Sequence, residues 1–315
     1  MTQTIACFAG IDISKEMLDL AFSNDNGVVH FANTKTGCRK LAALLIERQP
    51  QRTVFEATGP YHRELETALA QAGLVYAKAN PRKVRRFADV IGVHAKTDSV
   101  DARLLARFAA MVEIAPTTQK SALLQTLGEL MNARKSLVAD RTAIKNRSHV
   151  QSAKLLVRQN EARLKLIESQ IKAIDQEAMK LVDADAALAA RFEILVSIPG
   201  ISSLTACVML TEMPELGTLD QRQVASLAGL ALHARESGKW KGKRFISGGR
   251  ANLRQALYMP ALVASRFNAD LKAKYDALIA ARKPPKLALT VIMRKLIILA
   301  NALIRNARVW NEKSP

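Results

Sequence analysis

The hydrophobic pattern changes character twice along the chain. In the first third it is short-period. "IACFAGIDI" and "MLDLAFS" read as neighbouring strands, and "GVVHFAN" follows the turn signal "NDNG". A helix from about Gly37 to Arg48 leads to a fourth strand, "RTVFEAT". A helix after Gly59-Pro60 leads to a fifth, "LVYAKA", and helices follow from Pro81 onward. The middle third has no glycine or proline between Glu129 and Ile198. Leu123, Leu127, Leu130, Leu137 and Ile144 follow a 3-4 spacing there, with Arg134 and Arg141 filling two seam positions, and Leu164, Ile167, Ile171, Ile174 and Leu181 resume it. Stripes this narrow cannot bury themselves alone. They predict two long helices, joined either in a coiled-coil hairpin or oligomer contact, or in a plain intramolecular pair; the pattern does not separate these.

Three strands in a meander, followed by alternating helix and strand, is the order of a ribonuclease-H-like α/β layer. A doubly wound domain would alternate from the start. The last third opens with "ILVSIPGISSLTACVML", two apolar helices about a Pro-Gly turn. This is similar to a helix-hairpin-helix, whose turn offers backbone N–H groups to a phosphate. Ser202 stands where the strong form has a second glycine, so a plain helix–helix turn is the equal alternative.

Charge narrows the function. The 315 residues carry 47 Lys and Arg against 28 Asp and Glu, a net +19. So large an excess predicts a polyanionic partner, nucleic acid ahead of an acidic membrane surface. No stretch approaches the ~20 uninterrupted apolar residues of a membrane span. The most apolar helix, "LALTVIMRKLIILANALI", is broken by Arg294 and Lys295. "MTQTIACFAGID" is not patterned as a signal peptide, so a cytoplasmic protein without a membrane partner is expected. Cys7, Cys38 and Cys207 match no zinc or redox spacing and are expected as small core residues. His30, His62, His94, His149 and His233 show no metal or triad spacing, and Tyr258, in apolar helical surroundings, is expected in the core. The chain has no GxxxxGK[ST] loop, which excludes a nucleotide-driven motor of that type.

Four carboxylates are candidates for chemistry. Asp12 lies inside an apolar strand, where an acid is costly without a partner, and Glu56 ends the fourth strand. Asp98 and Asp101, in "KTDSVDARLLARF", share one face of a predicted helix. Acids early in a helix also favour its dipole, so that pair alone is ambiguous. In a ribonuclease-H-like layer the first and fourth strands are neighbours and a helix packs across their ends, which would gather all four. Their repulsion would then call for divalent cations, and oxygen-only ligands suit Mg²⁺ or Mn²⁺. Paired ions of that kind stabilise the entering and leaving oxygens of a phosphodiester displacement.

"GIDISKEMLDLAF", "FEATGPYHRELETAL", "NPRKVRRFADVIGVHAKTDSVDARLLARF", "SIPGISSLTACVMLTEM" and "SLAGLALHARESGKWKGKRFISGGRANLRQALYMPALVA" occur in this order. With them the chain resembles the DEDD transposases of insertion-sequence family 110, from about residue 8 to residue 300. The resemblance implies a RuvC-like domain at 1–112, a helical coiled-coil segment at 113–185 and a mostly helical transposase domain at 186–315, an α/β plus α architecture. It implies that Asp12, Glu56, Asp98 and Asp101 hold the metal. It also implies a serine nucleophile, donor and target DNA, a structured noncoding guide RNA, and a homo-oligomer, dimer or tetramer. Leu232 departs from the proline that many relatives have after the "GL" pair.

Two serines meet the physical description of a phosphodiester nucleophile. Ser237 and Ser247 each precede glycine in a loop rich in Lys and Arg, and nothing in the residues themselves separates them. The resemblance selects Ser237, between Glu236 and Gly238, and leaves Ser247 a structural or phosphate-contacting role. Arg82, Lys83, Arg85 and Arg86 form a basic run without interleaved acids, and Lys96, Lys239, Lys241, Lys243 and Arg244 flank the acids and the serine loop; these are the expected phosphate contacts. Trp240 would stack on a base or anchor its loop. Two other readings stand beside the recombinase: a metal-dependent junction endonuclease that uses water, and a non-catalytic nucleic-acid-binding scaffold.

Overall fold

The structure is a computed structural model that describes residues 6–56, 59, 61–93, 98–117, 120–234, 236–237, 240–242 and 244–311; of 98, 99, 236, 240 and 241 the backbone alone is described. The chain divides into two compact units, Met1–Gln119 and Lys120–Pro315.

The first unit is a five-stranded mixed sheet with helices on both faces. Its elements are β1 (Phe8–Ile13), β2 (Met17–Phe22), β3 (Val28–Ala32), α1 (Lys35–Arg48), β4 (Arg52–Glu56), α2 (Arg63–Gln71), β5 (Tyr76–Ala79), α3 (Pro81–Val90) and α4 (Asp98–Met111). The spatial order is β3-β2-β1-β4-β5: the meander is antiparallel, and β4 and β5 join parallel to β1. The predicted neighbours β1 and β4 do pair. Alternation along the strands sorts the side chains. Ile11, Leu18, Leu20 and Phe55 pack with Leu41 and Leu45 of α1 and Leu65 and Leu69 of α2. Val54 and Ala77 face the other way, against Val84 of α3 and Leu104, Leu105 and Phe108 of α4.

The second unit is mostly helical. Its helices are α5 (Ala122–Ser148), α6 (Lys154–Asp183), α7 (Ala186–Val196), α8 (Ser203–Glu212) and α9 (Gln221–Leu227), and then α10 (Ala251–Ala256), α11 (Tyr258–Phe267), α12 (Ala269–Ala280) and α13 (Pro285–Arg305). Between α9 and α10 lie four two-residue strands, β6 (Leu232–His233), β7 (Glu236–Ser237), β8 (Trp240–Lys241) and β9 (Phe245–Ile246). α5 and α6 pack along each other within the chain. Leu127, Met131, Ala178 and Val182 join the main core at the hairpin's base. Further out Ile144, Ile167 and Ile171 close a small core with Leu137 and Leu164. Arg134 sits in this seam because Asp175 receives it, with Nε to Oδ1 at 2.5 Å and Nη2 to Oδ2 at 3.1 Å.

Among the described residues, one helix, α13, is long and apolar enough to cross a membrane. Here it is the core helix: Ile292, Leu296, Ile297 and Ala300 are fully buried among residues of α7, α8 and α11. Its buried Asn301 accepts from the Gly217 N–H and donates to the Leu219 carbonyl, both at 2.8 Å, which suits a protein core. Two expectations need correction. Tyr258 is 41% exposed at the start of α11, because its helix buries Ala261 and Ala264 instead. Cys7 is half-buried near the sheet's edge, with Sγ donating to Asn24 Oδ1 at 3.5 Å, whereas Cys38 and Cys207 are buried as expected.

Candidate active site

Strand register and one helix seat bring the acids to a common edge of the first unit. Ile11 pairs with Phe55 across β1 and β4, so the next residues, Asp12 and Glu56, end side by side. Each lies two positions beyond a residue that faces α4, Gly10 and Val54 respectively, and so shares that face. α4 runs antiparallel to both strands. At its far end, Arg52 from the start of β4 donates through Nη1 to the carbonyls of Ala109 and Val112, both at 2.8 Å. In its middle, the backbone of Ala102–Ala106 lies against Gly10, where an added Cβ would meet Ala106 N at 2.1 Å and Ala102 O at 2.5 Å. The first turn, with Asp98 and Asp101, therefore reaches the strand ends that carry Asp12 and Glu56. Only glycine admits so close a helix.

The loops behind this edge are tied down. Asn33 Nδ2 donates to the Ser14 carbonyl, two residues beyond Asp12, at 2.8 Å, and to the Tyr61 carbonyl, beyond Glu56, at 3.0 Å. Glu66 of α2 receives Tyr76 OH at 2.8 Å, Lys78 Nζ at 2.6 Å and His62 Nε2 at 3.3 Å. Burial opposes its ionisation, but the bonds from His62, Lys78 and Tyr76 and the Lys78 charge outweigh it and hold the carboxyl at about 2. The segment after Glu56 is thereby anchored at its far end.

Asp12, Glu56 and Asp101 are each half-buried. Among the described residues no three His, Cys, Asp or Glu side chains form a metal-binding group, and the Asp98 carboxylate lies outside that set. The donor chemistry at the edge is oxygen-only, which fits a hard divalent cation rather than zinc.

The sequence reading missed Asp19 and its partner His30. Asp19 is buried in β2 directly opposite Asp12, and His30 Nδ1 lies 2.7 Å from Asp19 Oδ1. The signal was present: an acid inside the apolar run "MLDLAF" carries the same cost that singled out Asp12.

Ser237 belongs to the second unit. β7 and β8 pair antiparallel, Ser237 opposite Trp240, and β6 and β9 pair outside them, Leu232 opposite Ile246. Ser237 is exposed in the inner ladder, and Ser247 is exposed just past β9. The base of this arm is clamped. Gly249 and Gly229 approach so closely that a Cβ on Gly249 would meet Gly229 N at 2.1 Å, and both adopt positive φ. Arg254 Nη1 donates to the Gly248 carbonyl at 2.8 Å. Arg250 meets Glu215 through two bonds of 2.7 Å and also donates to the Glu212 carbonyl at 2.7 Å. The "SGGR" that follows the arm thus serves a backbone approach.

The basic candidates divide. Arg82, Lys83, Arg85 and Arg86 are exposed on α3, Arg85 within 3.8 Å of Asp89, and Arg244 is exposed before β9. Lys96, Lys239 and Lys243 lie outside the described residues, and Lys241 is described as backbone alone. At the Pro-Gly turn between α7 and α8, the Ser202 side chain caps α8 by accepting from Thr205 N at 3.3 Å.

The chain thus joins a mixed α/β unit with acids at one sheet edge to a mostly helical unit that carries an exposed serine. Residues 9–152 match the DEDD IS110 family model, described as a transposase, and residues 192–276 match the model described as Transposase IS116/IS110/IS902 family. The chain belongs to the IS110 family of transposases, enzymes of DNA transposition and recombination. Among curated proteins it is similar to the pilin gene-inverting proteins of Moraxella bovis and Moraxella lacunata. Each is 28% identical over 318 residues, covering 97% of this chain and 98% of the relative.

Proposed function

We propose that this transposase cuts and rejoins DNA at defined sites through a phosphoserine intermediate, with a RuvC-like DEDD domain at 1–112, a coiled-coil segment at 113–185 and a serine-bearing domain at 186–315. The observation that carries the reading is the gathering of Asp12, Glu56 and the α4 N-terminus at one sheet edge in a chain that also bears the exposed Ser237 on a short β-ladder. Ser237 Oγ attacks a scissile phosphorus, its proton leaves to solvent or a nearby base, and the P–O3′ bond breaks to free a 3′-hydroxyl. Asp12, Glu56, Asp98 and Asp101 would hold Mg²⁺ or Mn²⁺, which supplies charge neutralisation at phosphorus when bound. Arg82, Lys83, Arg85 and Arg86, with Lys96, Lys239, Lys241, Lys243 and Arg244, bind backbone phosphates of donor and target DNA and of a structured guide RNA.

The relatives are named for inverting a gene, and strand exchange at fixed sites is the same chemistry. Because acids and serine belong to different units, an oligomer is proposed in which protomers complete one another's sites. The test is a covalent-adduct assay: the protein is expressed with its native flanking DNA, and SDS-resistant protein–DNA species are compared for wild type, Ser237→Ala and Ser247→Ala. The adduct is expected to vanish with Ser237→Ala alone. Cleavage without adduct that survives Ser237→Ala would instead establish water as the nucleophile.

A further inference from the structure

The acidic edge continues past β1. Asp12 pairs in register with Asp19, and Asp19 with His30, so His30, Asp19, Asp12 and Glu56 follow one another across β3, β2, β1 and β4 on the α4-facing side. Asp19 is 7% exposed, between the fully buried Leu18 and Leu20. A buried carboxylate directly opposite another is unfavourable on two counts, desolvation and like charge. An apolar pair at 19 and 30 would serve the fold as well or better. The arrangement therefore needs a reason outside stability. His30 suggests one. Its Nδ1 is engaged by Asp19, its side chain is 57% exposed, and no partner for Nε2 is found among the described residues.

We propose that the Asp19–His30 pair is part of the strand-binding site. Asp19 is a positioning residue that fixes the ring as an imidazolium by accepting from Nδ1–H, and His30 Nε2–H donates to a backbone phosphate of the DNA strand held at the acids. The inference rests on the reading of Asp12, Glu56, Asp98 and Asp101 as the metal-binding set. His30 stands two strand spacings from Asp12, about 10 Å. That places its phosphate close along the same strand to the one being cut. A carboxylate that orients one ring nitrogen leaves the other in a defined direction, which a single exposed histidine on an edge strand could not achieve.

The test uses the full-length protein and a labelled duplex of its native flanking DNA, with binding measured in EDTA so that no divalent ion contributes. His30→Ala, assayed where it remains folded, is expected to weaken binding about 5- to 10-fold. Asp19→Asn, which keeps the side-chain shape, should weaken binding comparably, and the double variant should be no weaker than either single one. Unchanged binding, or two effects that simply multiply, overturns the proposal; a merely structural pair would shift the urea midpoint without that coupling. Asp12→Asn separates the two readings. If it abolishes metal-dependent cleavage while His30→Ala binds like wild type, this inference alone falls. If it cleaves normally, the metal-site reading falls and takes this one with it.

Discussion

Replacing Gly10 with alanine would place a Cβ 2.1 Å from Ala106 N and 2.5 Å from Ala102 O, both backbone atoms of α4. Neither can turn aside as a side-chain tip would. Ordinary carbon contacts need about 3.5 Å, so the helix must lift from β1 by roughly 1 Å. Overpacking of this kind costs about 1–3 kcal/mol, a measurable part of a domain's stability. The functional cost should be larger, because the same movement carries Asp98 and Asp101 away from Asp12 and Glu56. A misplacement of roughly 1 Å can cost about 100-fold in rate. The assay pairs urea unfolding with cleavage of native flanking DNA. Leu41→Ala serves as the control: it empties space on the opposite face of the sheet and should cost about 2–5 kcal/mol while leaving the seat of α4 alone. The expected result is that Gly10→Ala, though less destabilised than Leu41→Ala, loses far more activity under conditions where both are folded. Wild-type stability and cleavage in Gly10→Ala would refute the helix seat. Activity losses that merely track stability in the two variants would refute the link from α4 to the acids.

Two further outcomes follow from buried titrating groups. The Glu66 carboxyl lies at about 2 in the fold against an ordinary 4.5, so its contribution is complete above 4.5 and is lost as pH falls from there toward 2. That contribution is on the order of 3 kcal/mol. Urea unfolding at pH 6, 4 and 3 should show a steeper acid loss for wild type than for Glu66→Gln, and parallel profiles would refute the network's role. Burial pushes the Cys38 and Cys207 thiols up to about 11, so a thiol-reactive dye at pH 8 should label Cys7 quickly in the native protein and all three cysteines only in urea. Rapid native labelling of all three would show that the two cores are open.

The local layout was legible because strands and helices write their periods into neighbouring residues. The meander, the five strands and the two long helices of the middle third follow from alternation, 3-4 spacing and turn residues. Asp12 stood out through its cost in an apolar strand, and Asp101 through its place one turn into a helix. The same rule applied to Asp19 would have found a buried acid, but its partner His30 is known only from the pairing of β2 with β3. Arg134 was legible as filling a position in an apolar seam, but its partner Asp175, 41 residues away, is supplied only by the pairing of α5 with α6. Tyr258 misled because an apolar run does not say which side of its helix faces inward.

What the sequence by itself determined is the kind and order of elements, the acids' presence at strand and helix ends, and a charge that calls for a polyanion. Tertiary structure alone decided which of these meet. The register that sets Asp12 beside both Glu56 and Asp19, the antiparallel seat of α4 held by Gly10 and Arg52, and the burial of apolar α13 as a core helix all depend on contacts between distant segments. Periodicity is a property of one segment and can be read there. The choice among partners is made by packing, which a single segment does not contain.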